Sequence, residues 1–138
     1  MEMYPHTPYS DEVLLMDGVL QAEKKKYKQA IRTFGKVKKG NLSRDTEPML
    51  YFYWGYAYIQ QQQYDKALAQ LMKLKKKETL YSAHANYYAG YCYYCQQDYT
   101  RALKEFLSVE HLAGYQQIVP YYIIQINSIL FYVIDIII

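Results

Sequence analysis

The stretch "YWGYAYIQQQQYDKAL", residues 53–68, decides the fold. Its second half, Tyr64 to Leu68, has the form Tyr-x-x-Ala-aliphatic. The same form returns as "YKQAI" at 27–31 and "YTRAL" at 99–103. Aligning the three copies brings further residues into register. The first series is Gly18, Tyr27, Ala30, Phe34 and Val37. The second is Gly55, Tyr64, Ala67, Leu71 and Leu74, and the third is Gly90, Tyr99, Ala102, Phe106 and Val109. The internal steps are 9, 3, 4 and 3 in every copy, and the copies start 37 and then 35 residues apart. Self-similarity at such a period means stacked supersecondary units.

The steps of 3 and 4 place Tyr, Ala, Phe/Leu and Val/Leu on one face of a helix. Upstream, Tyr51, Trp54, Gly55 and Tyr58 keep helical spacing too. Each unit is therefore predicted to be two helices and a short turn, with Gly and Ala as close-contact points and larger residues filling around them. The predicted helices cover about 10–23, 26–39, a third from Pro48 to an end in the Gln run 60–63, then 64–77, 80–96 and 98–111. Ser10 is the predicted first N-cap, with Asp11 and Glu12 in the first turn. Gly40 stops the second helix, Pro48 opens the third, and Gly114 ends the third unit.

The three copies resemble the tetratricopeptide repeat (TPR) family over roughly residues 10–114. The match is specific in "LYFYWGYAYIQQQQYDKALAQLMKL", good in "ANYYAGYCYYCQQDYTRALKEFLSV" and weaker in the first copy, where Asp17 takes a usually apolar place. The Tyr-rich style also resembles large multi-repeat proteins of bacterial cell envelopes. The resemblance implies an all-α, right-handed solenoid of antiparallel helix pairs and a protein-binding role. Residues 1–9 would be an N-terminal extension. A single domain would follow, with repeats at about 10–40, 47–79 and 80–114 and a partial fourth at 117–138.

Composition limits the classes of function. The 138 residues suffice for one domain with a core, and a net charge of +3 is too mild for a dedicated nucleic-acid surface. Nineteen Tyr against one Trp and four Phe is unusual. Tyrosine suits half-buried surfaces, with a large apolar ring and a polar tip. "MEMYPHTPYSDE" lacks the pattern of a signal peptide, and the compartment stays open between bacterial envelope, periplasm and cytoplasm. Cys92 and Cys95 have redox or metal spacing, but they sit mid-to-late in a helix without a second pair, so they are expected to be packing cysteines. The lysine runs Lys24–Lys26, Lys36/Lys38/Lys39 and Lys73/Lys75–Lys77 are expected to be solvated, the last two complementing helix C-termini. "GKVKKG" is not a phosphate loop, and no HExxH, GxSxG or carboxylate pair appears. His6 lies in an N-terminus expected to be mobile. No cofactor, metal or catalytic activity is expected.

The binding expectation rests on the first helix of each unit, which lines the concave groove in a TPR solenoid. Unit two offers Met49, Phe52, Tyr53, Tyr56 and Ile59, and unit three offers His84, Tyr87, Tyr88, Tyr91 and Tyr94. Val119 and Tyr122 would continue this surface. Unit one gives the less aromatic Glu12, Leu15, Val19 and Glu23. The carboxylate-clamping Lys, Arg and Asn of the family's chaperone-tail binders are missing. An apolar or aromatic peptide or helix is the expected partner.

The tail, "IVPYYIIQINSILFYVIDIII" at 118–138, holds nine Ile and a single charge, Asp135. "IVPYYIIQI" reads as the first helix of a fourth unit, but no Tyr-x-x-Ala helix follows, and the chain ends in a strand-like apolar run. Three readings stay open: an altered end of a longer array, a helix packing on the third unit and a second chain, or a membrane segment. Self-association through Ile126, Ile129, Leu130, Phe131 and Ile134 is expected, since an exposed apolar stretch drives association.

Overall fold

The computed structural model describes residues 8–75 and 79–137. They form seven α-helices: α1 (Pro8–Glu23), α2 (Tyr27–Gly35), α3 (Glu47–Gln60), α4 (Tyr64–Lys75), α5 (Ser82–Cys95), α6 (Tyr99–Leu107) and α7 (Val119–Ile137). One 3-10 turn covers Lys39–Asn41, and no strand occurs among the described residues. Each helix packs on the next along the chain. The expected all-α architecture of stacked helices is therefore present.

The repeated glycines explain the pairing within each unit. A Cβ on Gly18 would lie 2.5 Å from the Phe34 ring, one on Gly55 3.0 Å from Leu71, and one on Gly90 2.9 Å from Phe106. Each large residue comes 16 positions after its glycine and is fully buried against it. Ala30, Ala67 and Ala102 are fully buried as well. Small residues on one helix and a bulky one on its partner interdigitate as packed ridges and grooves require. The turns repeat too. Lys25, Gln62 and Gln97 all adopt left-handed backbone, at φ 63°, 59° and 63°. They recur at the spacing of the units themselves, although none is Gly or Asn.

Several expected boundaries move. Helix α1 begins at Pro8, so Ser10 lies inside it and is not its N-cap. Asp11 is buried and accepts hydrogen bonds from the Lys38 N–H (2.9 Å) and Asn41 Nδ2 (2.8 Å). That carboxylate holds residues 38–41 against α1. Helix α2 accordingly ends at Gly35, and Gly40 sits in the 3-10 turn rather than stopping the helix. Helix α6 ends at Leu107, where the Ser108 hydroxyl donates to the Glu105 carbonyl (2.6 Å). Pro48 stands in the first turn of α3 and Gly114 takes φ +90° after the third unit, as expected. Lys76, Lys77 and residues 1–7, with His6, lie outside the described residues.

Polar ties cross between elements. Glu12 Oε1 accepts from the Ser43 N–H (3.2 Å) and the Thr46 hydroxyl (3.1 Å), linking α1 to the start of α3. The Gln96 amide donates to Asp65 (2.6 Å), and Lys75 pairs with the buried carboxylate of Glu105.

The end of the tail is a helix, not a strand-like run. Val119 and Ile126 are fully buried, and Tyr122, Ile123 and Leu130 pack against the same cluster as Ala102 and Phe106. Steps of 3 and 4 supply a helical face towards α6. That contact reaches as far as Leu130, and the helix continues beyond it through the exposed residues 131–136; the strand preference of isoleucine is weak and depends on context.

Candidate functional site

The first helices carry a continuous band of aromatic rings. On α3, Phe52 meets Tyr53 at 5.2 Å between ring centres and Tyr56 at 6.5 Å. Tyr56 meets Tyr27 of α2 edge-on at 6.1 Å and Tyr88 of α5 at 5.7 Å. Phe52 also stacks on Tyr81 at 5.0 Å and contacts Tyr88 at 5.8 Å. The band continues through Tyr87, which touches Tyr88 (5.1 Å), Tyr115 (5.0 Å) and Tyr122 (6.4 Å). Tyr122 of α7 stacks on Phe106 at 4.9 Å and meets Tyr94 and Tyr91 edge-on. Offset and edge-to-face pairs at these distances are individually favourable.

The band has two parts with different character. Tyr27, Phe52, Tyr53, Tyr56 and Tyr88, together with Ala22, Glu23 and Lys25, line an open cleft of about 340 Å³. These rings are half-buried, so each keeps a face towards the cleft. Tyr87, Tyr94 and Tyr122 instead belong to the cluster around Phe106 between α5, α6 and α7, where they act as packing, and Tyr91 packs on the main core and reaches Tyr122 and Tyr64. His84 is exposed. It rests against Phe52 and Tyr115, and its Nδ1 hydrogen-bonds the Tyr115 hydroxyl.

Four expected groove positions lie in the core instead. Ile59 is only 5% exposed and belongs to the main buried cluster. Helical geometry puts it about 40° from Gly55, on the side that α4 covers. Leu15 and Val19 are buried in the same cluster, with the larger Phe52 and Tyr53 packed against it. Val119, the first residue of α7, is buried against Ala102 and Phe106 of α6. Among the expected self-association residues, Ile126 is fully buried, and Ile129 and Leu130 are half-buried. Phe131 (73% exposed) and Ile134 (55%) remain on the surface.

Electrostatics favours neutral rings. Burial pushes the hydroxyls of Tyr53, Tyr56, Tyr87 and Tyr88 above the ordinary tyrosine range, with neighbouring tyrosines adding to the effect at the first three. The Tyr91 hydroxyl is pushed up to about 12, first by its hydrogen bond to Cys95 and then by burial. Tyr64 is shifted the same way, also chiefly by a hydrogen bond to Cys95. Cys92 is fully buried. Among the described residues no group of three His, Cys, Asp or Glu could hold a metal ion.

The cleft offers apolar ring faces and neutral hydroxyl donors. Its mouth carries one carboxylate, Glu23, and one ammonium, Lys25. Apolar walls with a few polar groups are the usual lining of a binding pocket. Residues flanking the cleft that the sequence reading missed are Tyr27 and Tyr81. Tyr27 holds a repeat-spacing position, and its ring also lines the cleft and reaches Tyr56.

Comparison of the sequence with models of protein families finds no match, and comparison with curated proteins finds none.

Proposed function

We propose that this chain is a TPR-like interaction module whose aromatic groove holds a peptide or helix from a protein partner. One observation carries the reading: an open cleft lined by five half-buried rings, Tyr27, Phe52, Tyr53, Tyr56 and Tyr88. Tyrosines give much contact area at low rotamer cost, which is why they recur as interface anchors. The apolar walls favour a segment with aromatic or aliphatic side chains. The Glu23 and Lys25 rim suits the polar backbone of that segment. Affinity for a single short segment is expected near micromolar, about −8 kcal/mol.

Selection from a displayed random-peptide library tests this. Wild type should enrich apolar or aromatic sequences, and their affinity should fall at least tenfold in a Tyr56→Ala/Tyr88→Ala variant that keeps its helical circular-dichroism spectrum. No enrichment, or equal binding by the variant, would refute the reading.

A second reading has its own support. Helix α7 leaves Tyr121, Ile124, Phe131 and Ile134 exposed. This favours an assembly module that associates with further copies or units through its tail. The helix is also long and apolar enough to cross a membrane, at a mean hydropathy of 1.4 over Val119–Ile136. Its packing on α6 through Val119, Tyr122 and Ile126 favours the assembly reading.

A further inference from the structure

The two ends of the helix stack each carry a bare apolar face, and the repeat register says what each face is for. Aligned on Gly18, Gly55 and Gly90, Val13 of α1 corresponds to Leu50 and Ala85. Leu20 corresponds to Ala57 and Cys92. Val13 and Leu20 are both 51% exposed, while the four counterparts are at most 1% exposed. In units two and three this face is buried as α3 packs on α2 and α5 on α4. The bare stripe of α1 is therefore the stacking face of a repeat, shaped to receive a helix.

Helix α7 presents the complementary need. Its buried residues Val119 and Ile126 sit 34 positions after Ala85 and Cys92, so its own stacking face is already used on α6. The same offset puts Ile124 at the position of Gly90. The outer face of α7 thus has an exposed isoleucine where the repeat has a glycine. A second helix bearing Phe could not approach it as α6 approaches α5, where even a Cβ on Gly90 would stand 2.9 Å from Phe106.

We infer that the outer face of α7 docks on the stacking face of α1 in a second copy of this chain, head to tail. The spacings agree. Ile124, Phe131 and Asp135 are separated by 7 and 4 residues, as are Val13, Leu20 and Lys24. Run in parallel, Ile124 lies beside Val13, Phe131 beside Leu20, and Asp135, the only charge of α7, beside Lys24. Lys24 and Asp135 are both exposed and have no ion-pair partner among the described residues. Because the two surfaces differ, the contact does not close on itself as a twofold dimer does. It propagates into open chains or rings. The inference rests on the assembly reading and is independent of the aromatic groove.

Sedimentation velocity of the full chain over a concentration series is the test. Wild type should grow beyond a dimer as concentration rises. Leu20→Glu and Phe131→Glu, both at exposed positions, should each be monomeric with unchanged helical content. An equal mixture of the two should form dimers and stop there, since one intact pair of faces remains. Lys24→Asp should weaken association, and adding Asp135→Lys should restore it. If Phe131→Glu abolishes association and Leu20→Glu does not, the head-to-tail contact is refuted and the assembly reading survives. If the wild type stays monomeric, or neither substitution matters, both fall. Monomeric wild type that binds phosphatidylcholine vesicles through Phe131 would also overturn the inference, in favour of a membrane surface.

Discussion

Gly90 on α5 faces Phe106 on α6 so closely that a Cβ at Gly90 would stand 2.9 Å from the ring. Phe106 is fully buried, so the ring cannot swing into solvent. Gly90→Ala should therefore lose about 1–3 kcal/mol through overpacking. Gly35, the last residue of α2, has nothing within 4 Å of a built Cβ. Gly35→Ala should gain about 0.5–1 kcal/mol by restricting the unfolded chain. Urea unfolding of both variants checks the opposite signs. Equal effects would remove the close-approach account of the repeat glycines.

The turns carry a second pattern. Gln62 holds φ 59°, a conformation that costs a non-glycine residue about 1–2 kcal/mol. Glycine removes that strain but adds roughly 0.5–1 kcal/mol of unfolded-state entropy. Gln62→Gly should thus be neutral or stabilise by up to about 1 kcal/mol. Gln62→Val should destabilise, since a β-branched residue is worst placed there. Thermal melting of the pair decides it: a better-tolerated valine would mean that the turn relaxes freely.

These two cases mark what the sequence made legible. The Gly-to-Phe/Leu spacing encodes helix pairing directly, because a 3.6-residue period turns spacing into a shared face. The left-handed turn residues were invisible, because Lys and Gln carry no preference for positive φ. The lining of the cleft was legible at Phe52, Tyr53 and Tyr56, one stripe of α3, and at Tyr88, which holds the register of Tyr53 on α5. Ile59, Leu15, Val19 and Val119 lie in the core instead, where a rotation of a few tens of degrees, or a larger neighbour, decides burial. The second half of the tail was not legible because its isoleucine-rich composition suggests a strand, and beyond Leu130 it continues the helix at exposed positions, with no buried stripe to mark the period.

Unit two is tied to unit three by charge. Lys75 pairs with Glu105, whose side chain is 7% exposed. Removing the lysine leaves a buried carboxylate without its partner. Lys75→Met should therefore cost about 1–3 kcal/mol, and Lys75→Met/Glu105→Gln should recover much of the loss. A urea-based double-mutant cycle measures the coupling. Additive effects would show that the pair contributes nothing across the unit boundary.

Alkaline pH should unfold the protein through its tyrosines. Burial, then the Glu47 hydrogen bond (2.5 Å), pushes the Tyr51 hydroxyl up to about 12. Burial does the same to Tyr115, also to about 12. A hydroxyl whose folded pKa lies above its unfolded value near 10 stabilises fully below pH 10. That contribution is lost as pH rises through the folded value, because the unfolded chain releases its protons first. Stability should fall steeply between pH 10 and about 12. Absorbance of tyrosinate, followed beside circular dichroism, should show a late-ionising set that titrates only as helicity is lost. Complete ionisation near pH 10 with the fold intact would contradict the buried band.

Cys92 offers the sharpest check on the core between α3, α4 and α5. It is fully buried, and burial followed by the neighbouring Cys95 pushes its thiol up to about 12. Only the thiolate reacts, so at pH 8 very little of this buried thiol would be reactive even if the reagent had access. In a Cys95→Ser variant, a thiol reagent should modify Cys92 only as fast as the protein opens. The rate should rise with urea in parallel with unfolding. This expectation follows from packing alone: Cys92 holds the stacking position equivalent to Ala57, where a reactive thiol would have no route to solvent. Rapid labelling of the native protein at neutral pH would mean that this layer opens readily, and the core would have to be redrawn around a mobile α5.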